Sequence, residues 1–157
     1  MGDWRRGCRR IIGCVFFAEK MILKAESVEN LNGEQINLLN REIPLNDCFF
    51  SLSAAVAKNK KIVFLAGEEA GEDETQCGVM LYDVLESNGE KVFFISALAL
   101  DLKKCGYVGH PVYEWIENQA RSLGCKKIVF DSIRRGVLYH ARSYDWKIVN
   151  IRYQKEL

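Results

Sequence analysis

The sequence predicts an α/β (α+β) fold, a mixed and mostly antiparallel sheet whose fourth and fifth strands run parallel, flanked by helices. Three observations carry this reading. Lys91-Val-Phe-Phe-Ile-Ser-Ala-Leu-Ala-Leu100 and Lys126-Lys-Ile-Val-Phe-Asp131 are apolar runs of strand length, and the amphipathic stretch between them is long enough to return the chain in parallel register. Asn88-Gly89 joins the first of these runs to the one before it, a strong signal for a tight hairpin. Finally, 157 residues fit one domain large enough to bury its own core.

Taken in order, residues 1–20 read as an extension and 21–157 as the domain. Met1-Gly-Asp-Trp-Arg-Arg-Gly-Cys-Arg-Arg10 is basic and Ile11-Ile-Gly-Cys-Val-Phe-Phe-Ala18 is apolar, but that run is short for a secretory signal and far short of a membrane span. Ile11-Ile-Gly-Cys14 imitates a lipoprotein cleavage box with arginines where the apolar stretch should be. Gly2 suggests myristoylation, but Arg6 occupies the place where Ser or Thr is wanted. The expectation is an arm that packs on the domain or on a partner.

Met21-Ile-Leu-Lys-Ala-Glu26 has the composition of a first strand. Asn32-Gly-Glu-Gln35 offers a helix cap with Gln35 as reciprocal partner, and Pro44 closes that segment. Asp47 is expected to cap a second helix over Cys48 to Lys58, with Phe49, Leu52, Ala55 and Val56 as its packing face. Lys61–Ala66 and Cys77–Glu86 read as strands two and three, forming a meander with the fourth. Between them, Glu68-Glu-Ala-Gly-Glu-Asp-Glu74 is expected to be a solvated loop, with gathering of a cationic acceptor as the alternative.

The fourth strand gives way to Asp101-Leu-Lys-Lys-Cys-Gly-Tyr-Val-Gly-His110, and Pro111 then suits a first helical position because its missing N–H has no partner there anyway. From His110, Val112, Trp115, Ile116, Ala120 and Leu123 recur at helical spacing, and Gly124 ends the helix. A strand entering a helix N-terminus through a glycine turn presents amides to an anion such as a pyrophosphate. Trp146-Lys-Ile-Val-Asn-Ile-Arg-Tyr153 alternates as a last strand should.

This segment resembles the acetyl-CoA-binding core of the GNAT superfamily of N-acetyltransferases, and the element order from Met21 onward is similar to that family's. The family turn is an Arg or Gln, two residues, Gly, one residue, then Gly or Ala. Anchored on the helix, Lys104 takes the first place, Tyr107 the first glycine and Gly109 the last; anchored on Gly106, Lys103 comes first and Val108 last. Either way one position departs from the pattern. The resemblance implies acetyl-CoA as cosubstrate, held by Leu98, Leu100, Lys103, Lys104, Cys105, Gly106, Tyr107, Val108, Gly109 and His110. Gly136-Val-Leu-Tyr-His-Ala-Arg-Ser-Tyr-Asp-Trp146 is similar to the family's short helix and turn, which implies Tyr139 as general acid at the thioester sulfur. For the base, the fourth strand has Ser96 but no carboxylate, leaving Asp83 or Glu86 on the third and Asp131 on the fifth. Each is also an ordinary strand-end residue.

Composition narrows the partners. Twenty-two Lys and Arg against twenty-one Asp and Glu leave a net charge of +1, so nothing global demands nucleic acid or an anionic membrane. Six cysteines are scattered without a CxxC pair, reading as reduced thiols in a cytoplasm rather than a disulfide framework. With two histidines, His110 and His140, neither a zinc site nor a histidine triad is expected, and His110 reads as a helix-start residue. The implied activity is acetyl transfer to a primary amine of a small molecule or protein. The other reading is a non-catalytic module of the same fold, assembling with itself or another protein through residues 1–20.

Overall fold

The computed structural model describes residues 21–42, 51–68, 74–101, 103, 109–130, 145–147 and 155. Among these residues five strands, β1 (Met21–Val28), β2 (Lys60–Glu68), β3 (Thr75–Ser87), β4 (Glu90–Leu100) and β5 (Lys127–Phe130), form one sheet in that order. The first three pairings are antiparallel. The fourth is parallel, running from Val92↔Lys127 to Ile95↔Phe130. Asn88 (φ 53°) and Gly89 (φ 76°) both adopt left-handed backbone, as a two-residue turn matched to strand twist requires, and this locks Ser87 opposite Glu90.

Helix α1 (Gly33–Glu42) begins at the expected cap. Asn32 Oδ1 accepts from the Gln35 N–H and Gln35 Oε1 accepts from the Asn32 N–H, both at 2.9 Å, so two orphan donors are met reciprocally. Helix α2 (Leu52–Lys58) is shorter than expected. Ser51 stands in extended backbone and its side chain accepts from the Ala54 N–H, so a serine cap, not Asp47, starts the helical run, and an unbroken helix from Cys48 is excluded. Asp47 and Phe49 lie outside the described residues.

Helix α3 (Gly109–Ser122) returns the chain from β4 to β5. It stops where the sequence says, at Gly124 with φ 74°. The Gly124 N–H reaches the Arg121 carbonyl at 3.0 Å and the Cys125 N–H the Ala120 carbonyl at 2.9 Å, the paired bonds of a left-handed helix stop. Asp145, Trp146 and Lys147 are not in a strand. The expected last strand therefore does not start at Trp146, which instead meets the Tyr113 ring edge-on at 6.0 Å.

The sheet separates two apolar layers. On one face Val112, Tyr113, Ile116 and Ala120 of α3 pack on Phe64, Met80, Tyr82, Phe93 and Ile95. On the other, Leu38 and Leu39 of α1 and Ala55 of α2 pack on Val79, Leu81, Ala97 and Ala99.

Candidate acetyl-CoA site

Ser96 is the hinge of the site because it breaks the register of the two longest strands. Leu81 lies opposite Ala97 while Tyr82 lies opposite Ile95, so Ser96 is the extra residue of a β-bulge. One added residue reverses which face each later side chain meets. Phe93 and Ile95 belong to the α3 layer, whereas Ala97 and Ala99 belong to the α1 and α2 layer. Leu98 and Leu100 then turn to the α3 side.

A second bulge lies further along β3, in its pairing with β2. Phe64 lies opposite Gly78 and Leu65 opposite Gln76, leaving Cys77 as the extra residue of β3. Its thiol is buried and reaches the Phe64 carbonyl at 3.4 Å, and its own carbonyl accepts the Asp101 N–H at 2.8 Å. Gly78 follows, with β4 pressed against it: a Cβ there would lie 2.6 Å from Leu100 Cδ2 and 2.9 Å from the Ala99 carbonyl oxygen. The end of β4 is thus held closely by β3.

Its other edge differs. Registered pairing with β5 covers Val92 to Ile95, so from Ser96 to Leu100 β4 has no β5 partner among the described residues. An unpaired strand edge offers backbone donors and acceptors to an extended ligand. Beyond it come Asp101, an exposed Lys103, and the first turn of α3 at Gly109 and His110. That turn carries amides without intrahelical acceptors and the positive end of the helix dipole.

Where β4 ends, α1 closes over it. Arg41 Nη2 lies 3.6 Å from Asp101 Oδ2, with the Asp101 side chain only 13% exposed. Gln35 is buried and donates from Nε2 to Gln76 Oε1 at 2.9 Å. Glu34, Leu38, Arg41, Gln76 and Asp101 line a cleft of about 10 Å³, which is water-sized.

Ser96, Leu98 and Leu100 lie on β4, Lys103 follows its end, and Gly109 and His110 open α3. Asp83 sits on the neighbouring strand opposite Phe94. Because Tyr82 and Val84 both pack in the α3 layer, alternation points Asp83 to the α1 and α2 side, and its Oδ1 accepts the Val84 N–H at 2.8 Å. Glu86 is exposed at the hairpin end, opposite Lys91. Lys104, Cys105, Gly106, Tyr107, Val108, Asp131 and Tyr139 lie outside the described residues. Burial pushes the phenol pKa values of Tyr82 and Tyr113 up; for Tyr82 a hydrogen bond with Gln119 works against that rise and the Asp83 charge adds to it.

Sequence reading missed the bulge and the Arg41–Asp101 pair. A signal for the bulge exists: after Ser96 the strand alternates small and large as Ala97-Leu-Ala-Leu100, with the large residues in even positions, whereas the buried Phe93 and Ile95 are odd. The ion pair joins residues far apart in sequence and leaves no local mark.

No family model matches the sequence, and no curated protein matches it. Solved structures do. An acetyltransferase of Trypanosoma brucei superposes with a TM-score of 0.59 at 16% identity, covering 87% of this chain and 100% of that one. Glucosamine-6-phosphate N-acetyltransferase of Arabidopsis thaliana gives 0.54 at 17% identity, covering 86% and 98%. An aminoglycoside N-acetyltransferase in complex with CoA gives 0.51 at 11% identity, covering 87% and 97%. The fold is that of the GNAT superfamily of N-acetyltransferases.

Proposed function

We propose that the protein is an acetyl-CoA-dependent N-acetyltransferase acting on a primary amine of a small molecule or protein. The observation that carries this is β4 itself, paired in parallel to β5 as far as Ile95 among the described residues and leading beyond Ser96 to the segment that precedes α3. The amides of a pantetheine arm match the polar edge of Ser96–Leu100, and the resemblance of Lys103–His110 to the family's turn assigns the pyrophosphate to the stretch from Cys105 to His110, with Lys103 or Lys104 as its cation. In the reaction the amine nitrogen attacks the thioester carbonyl carbon, the C–N bond forms and the C–S bond breaks. The amine's proton passes to a base or to water, and Tyr139 protonates the leaving thiolate. Asp83 and Ser96 are the base candidates. The neighbours named for aminoglycoside and glucosamine-6-phosphate acetylation make small amines the first acceptors to screen. The free thiols Cys77 and Cys125 support a cytoplasmic setting.

One observation favours the non-catalytic module: β4 carries no carboxylate beside the bulge, and Asp83 is engaged by the amide of Val84. Calorimetric titration of the full chain with acetyl-CoA separates the readings. A ligand at a hundredfold excess over its dissociation constant adds about 2.7 kcal/mol of stability. A melting temperature unmoved by millimolar acetyl-CoA, with no heat of binding, would leave the module, with residues 1–20 as the arm toward a partner.

A further inference from the structure

We infer that Asn88-Gly89, at the tip of the β3–β4 hairpin, is a site of spontaneous deamidation in the folded protein, and that the capping box of α1 holds back the same dipeptide at Asn32-Gly33. These are the two Asn-Gly pairs of the chain. The reaction needs only water. The Gly89 nitrogen gives up its proton to water or hydroxide and attacks Asn88 Cγ. The new C–N bond closes a cyclic imide, the Cγ–Nδ2 bond breaks and ammonia leaves, with nothing oxidised or reduced. Water then opens the imide at either carbonyl, giving aspartate or isoaspartate. Glycine favours the closure because it has no Cβ to crowd the attacking nitrogen.

Access does not separate the two pairs. Asn32, Gly33, Asn88 and Gly89 are all exposed, and a Cβ built at either glycine would meet nothing within 4 Å. Hydrogen bonding separates them. For Asn32 to react, its Oδ1 must release the Gln35 N–H at 2.9 Å. Its backbone is also held, with its N–H on Gln35 Oε1 at 2.9 Å and its carbonyl on the Ile36 N–H at 3.0 Å. No side-chain hydrogen bond holds Asn88 among the described residues. Attack there requires the turn to open, and the tip is where opening costs least. β2 pairs with β3 as far as Tyr82 and β5 pairs with β4 from Val92 onward, so residues 86–90 are tied across β3 and β4 alone among the described residues. The products differ in consequence. Aspartate keeps the backbone count and tolerates left-handed geometry. Isoaspartate carries the chain through the side-chain carbon, and the longer turn no longer matches the twist that locks Ser87 opposite Glu90.

Ageing the full chain in mildly alkaline buffer, mapping both peptides by mass spectrometry and assaying isoaspartate with an isoaspartyl methyltransferase tests this. Asn88 should convert at least roughly tenfold faster than Asn32 in the folded chain, because the cap must break first. In denaturant the two should convert at similar rates, since the cap is gone. Asn88→Asp should melt like unaged wild type, whereas an aged fraction enriched in isoaspartate at residue 88 should melt lower. Equal rates in the folded chain would overturn the part given to the cap. An Asn88 that converts only in denaturant would overturn the site itself, and an isoaspartate fraction that melts like wild type would overturn its effect on the turn.

Discussion

The two halves of β4 share one strand and differ in almost everything else. From Val92 to Ile95 the strand is paired on both edges, to β3 and β5, and its buried residues Phe93 and Ile95 face α3. From Ala97 to Leu100 it is paired to β3, has no β5 partner among the described residues, and sends Ala97 and Ala99 to α1 and α2. The first half is core. In the second half the buried alanines face the other layer, with Ser96 left over as the extra residue of the β3–β4 ladder.

The largest expected effect belongs to Tyr139→Phe, which asks whether the second half of β4 serves chemistry. Loss of a positioned proton donor should lower turnover by roughly 10²- to 10⁴-fold with acetyl-CoA affinity preserved. Equal turnover in the variant would remove Tyr139 as the acid and make Tyr144 the next residue to test.

The sequence showed the sheet well because its signals are local. Asn88-Gly89, the Asn32 and Gln35 cap and Gly124 each act within a few residues, and all appear where expected. Helix α2 was misread because Ser51 competes with Asp47 as a cap, and a seven-residue helix shows too little periodicity to decide between them. The site was less legible because its geometry depends on register between strands. Leu98 and Leu100 were placed on the cofactor path, yet their side chains pack on the α3 layer, so any role they have there belongs to their backbone. Tyr113 escaped notice because it borders the expected apolar stripe of α3, and Trp146, distant in sequence, covers it.

A smaller effect should follow from Gly78→Ala, which loosens only the second half of β4. The new methyl would meet Leu100 Cδ2 at 2.6 Å and the Ala99 carbonyl at 2.9 Å, and the carbonyl cannot rotate aside. The expected cost is about 1–3 kcal/mol, read as a lower denaturation midpoint. Because Leu100 leads into Asp101, acetyl-CoA affinity should drop as well, whereas an equally destabilising change in the first half, Ile95→Val, should leave it unchanged.

The first half carries its own, weaker marker in alkali. Tyr82, stacked on Phe93 at 4.6 Å, and Tyr113 both have phenol pKa values raised by burial. The folded state thus holds these protons more firmly than the unfolded chain. Their contribution is fully present below the unfolded phenol value near 10 and is lost as pH rises through the raised folded values. Melting temperature measured across alkaline pH should fall above about pH 10, and Tyr82→Phe should make that fall shallower. An identical slope in the variant would mean that other groups cause it.

The smallest effect belongs to Ser96. Ser96 makes the bulge by being an additional residue, and the register shift between Leu81 and Tyr82 is a property of backbone count. Ser96→Ala keeps that count and any extended conformation the serine adopts, so the faces of Ala97–Leu100 should survive, with stability within about 0.5 kcal/mol of wild type. Turnover then reads the hydroxyl alone. If Ser96 only shapes the strand, the alanine variant should acetylate as fast as wild type and bind acetyl-CoA equally well. A fall in turnover of a hundredfold or more with unchanged melting and unchanged acetyl-CoA affinity would instead give the hydroxyl a part in proton transfer, and Asp83→Asn, tested beside it, would then show whether Asp83 on the neighbouring strand serves the same transfer.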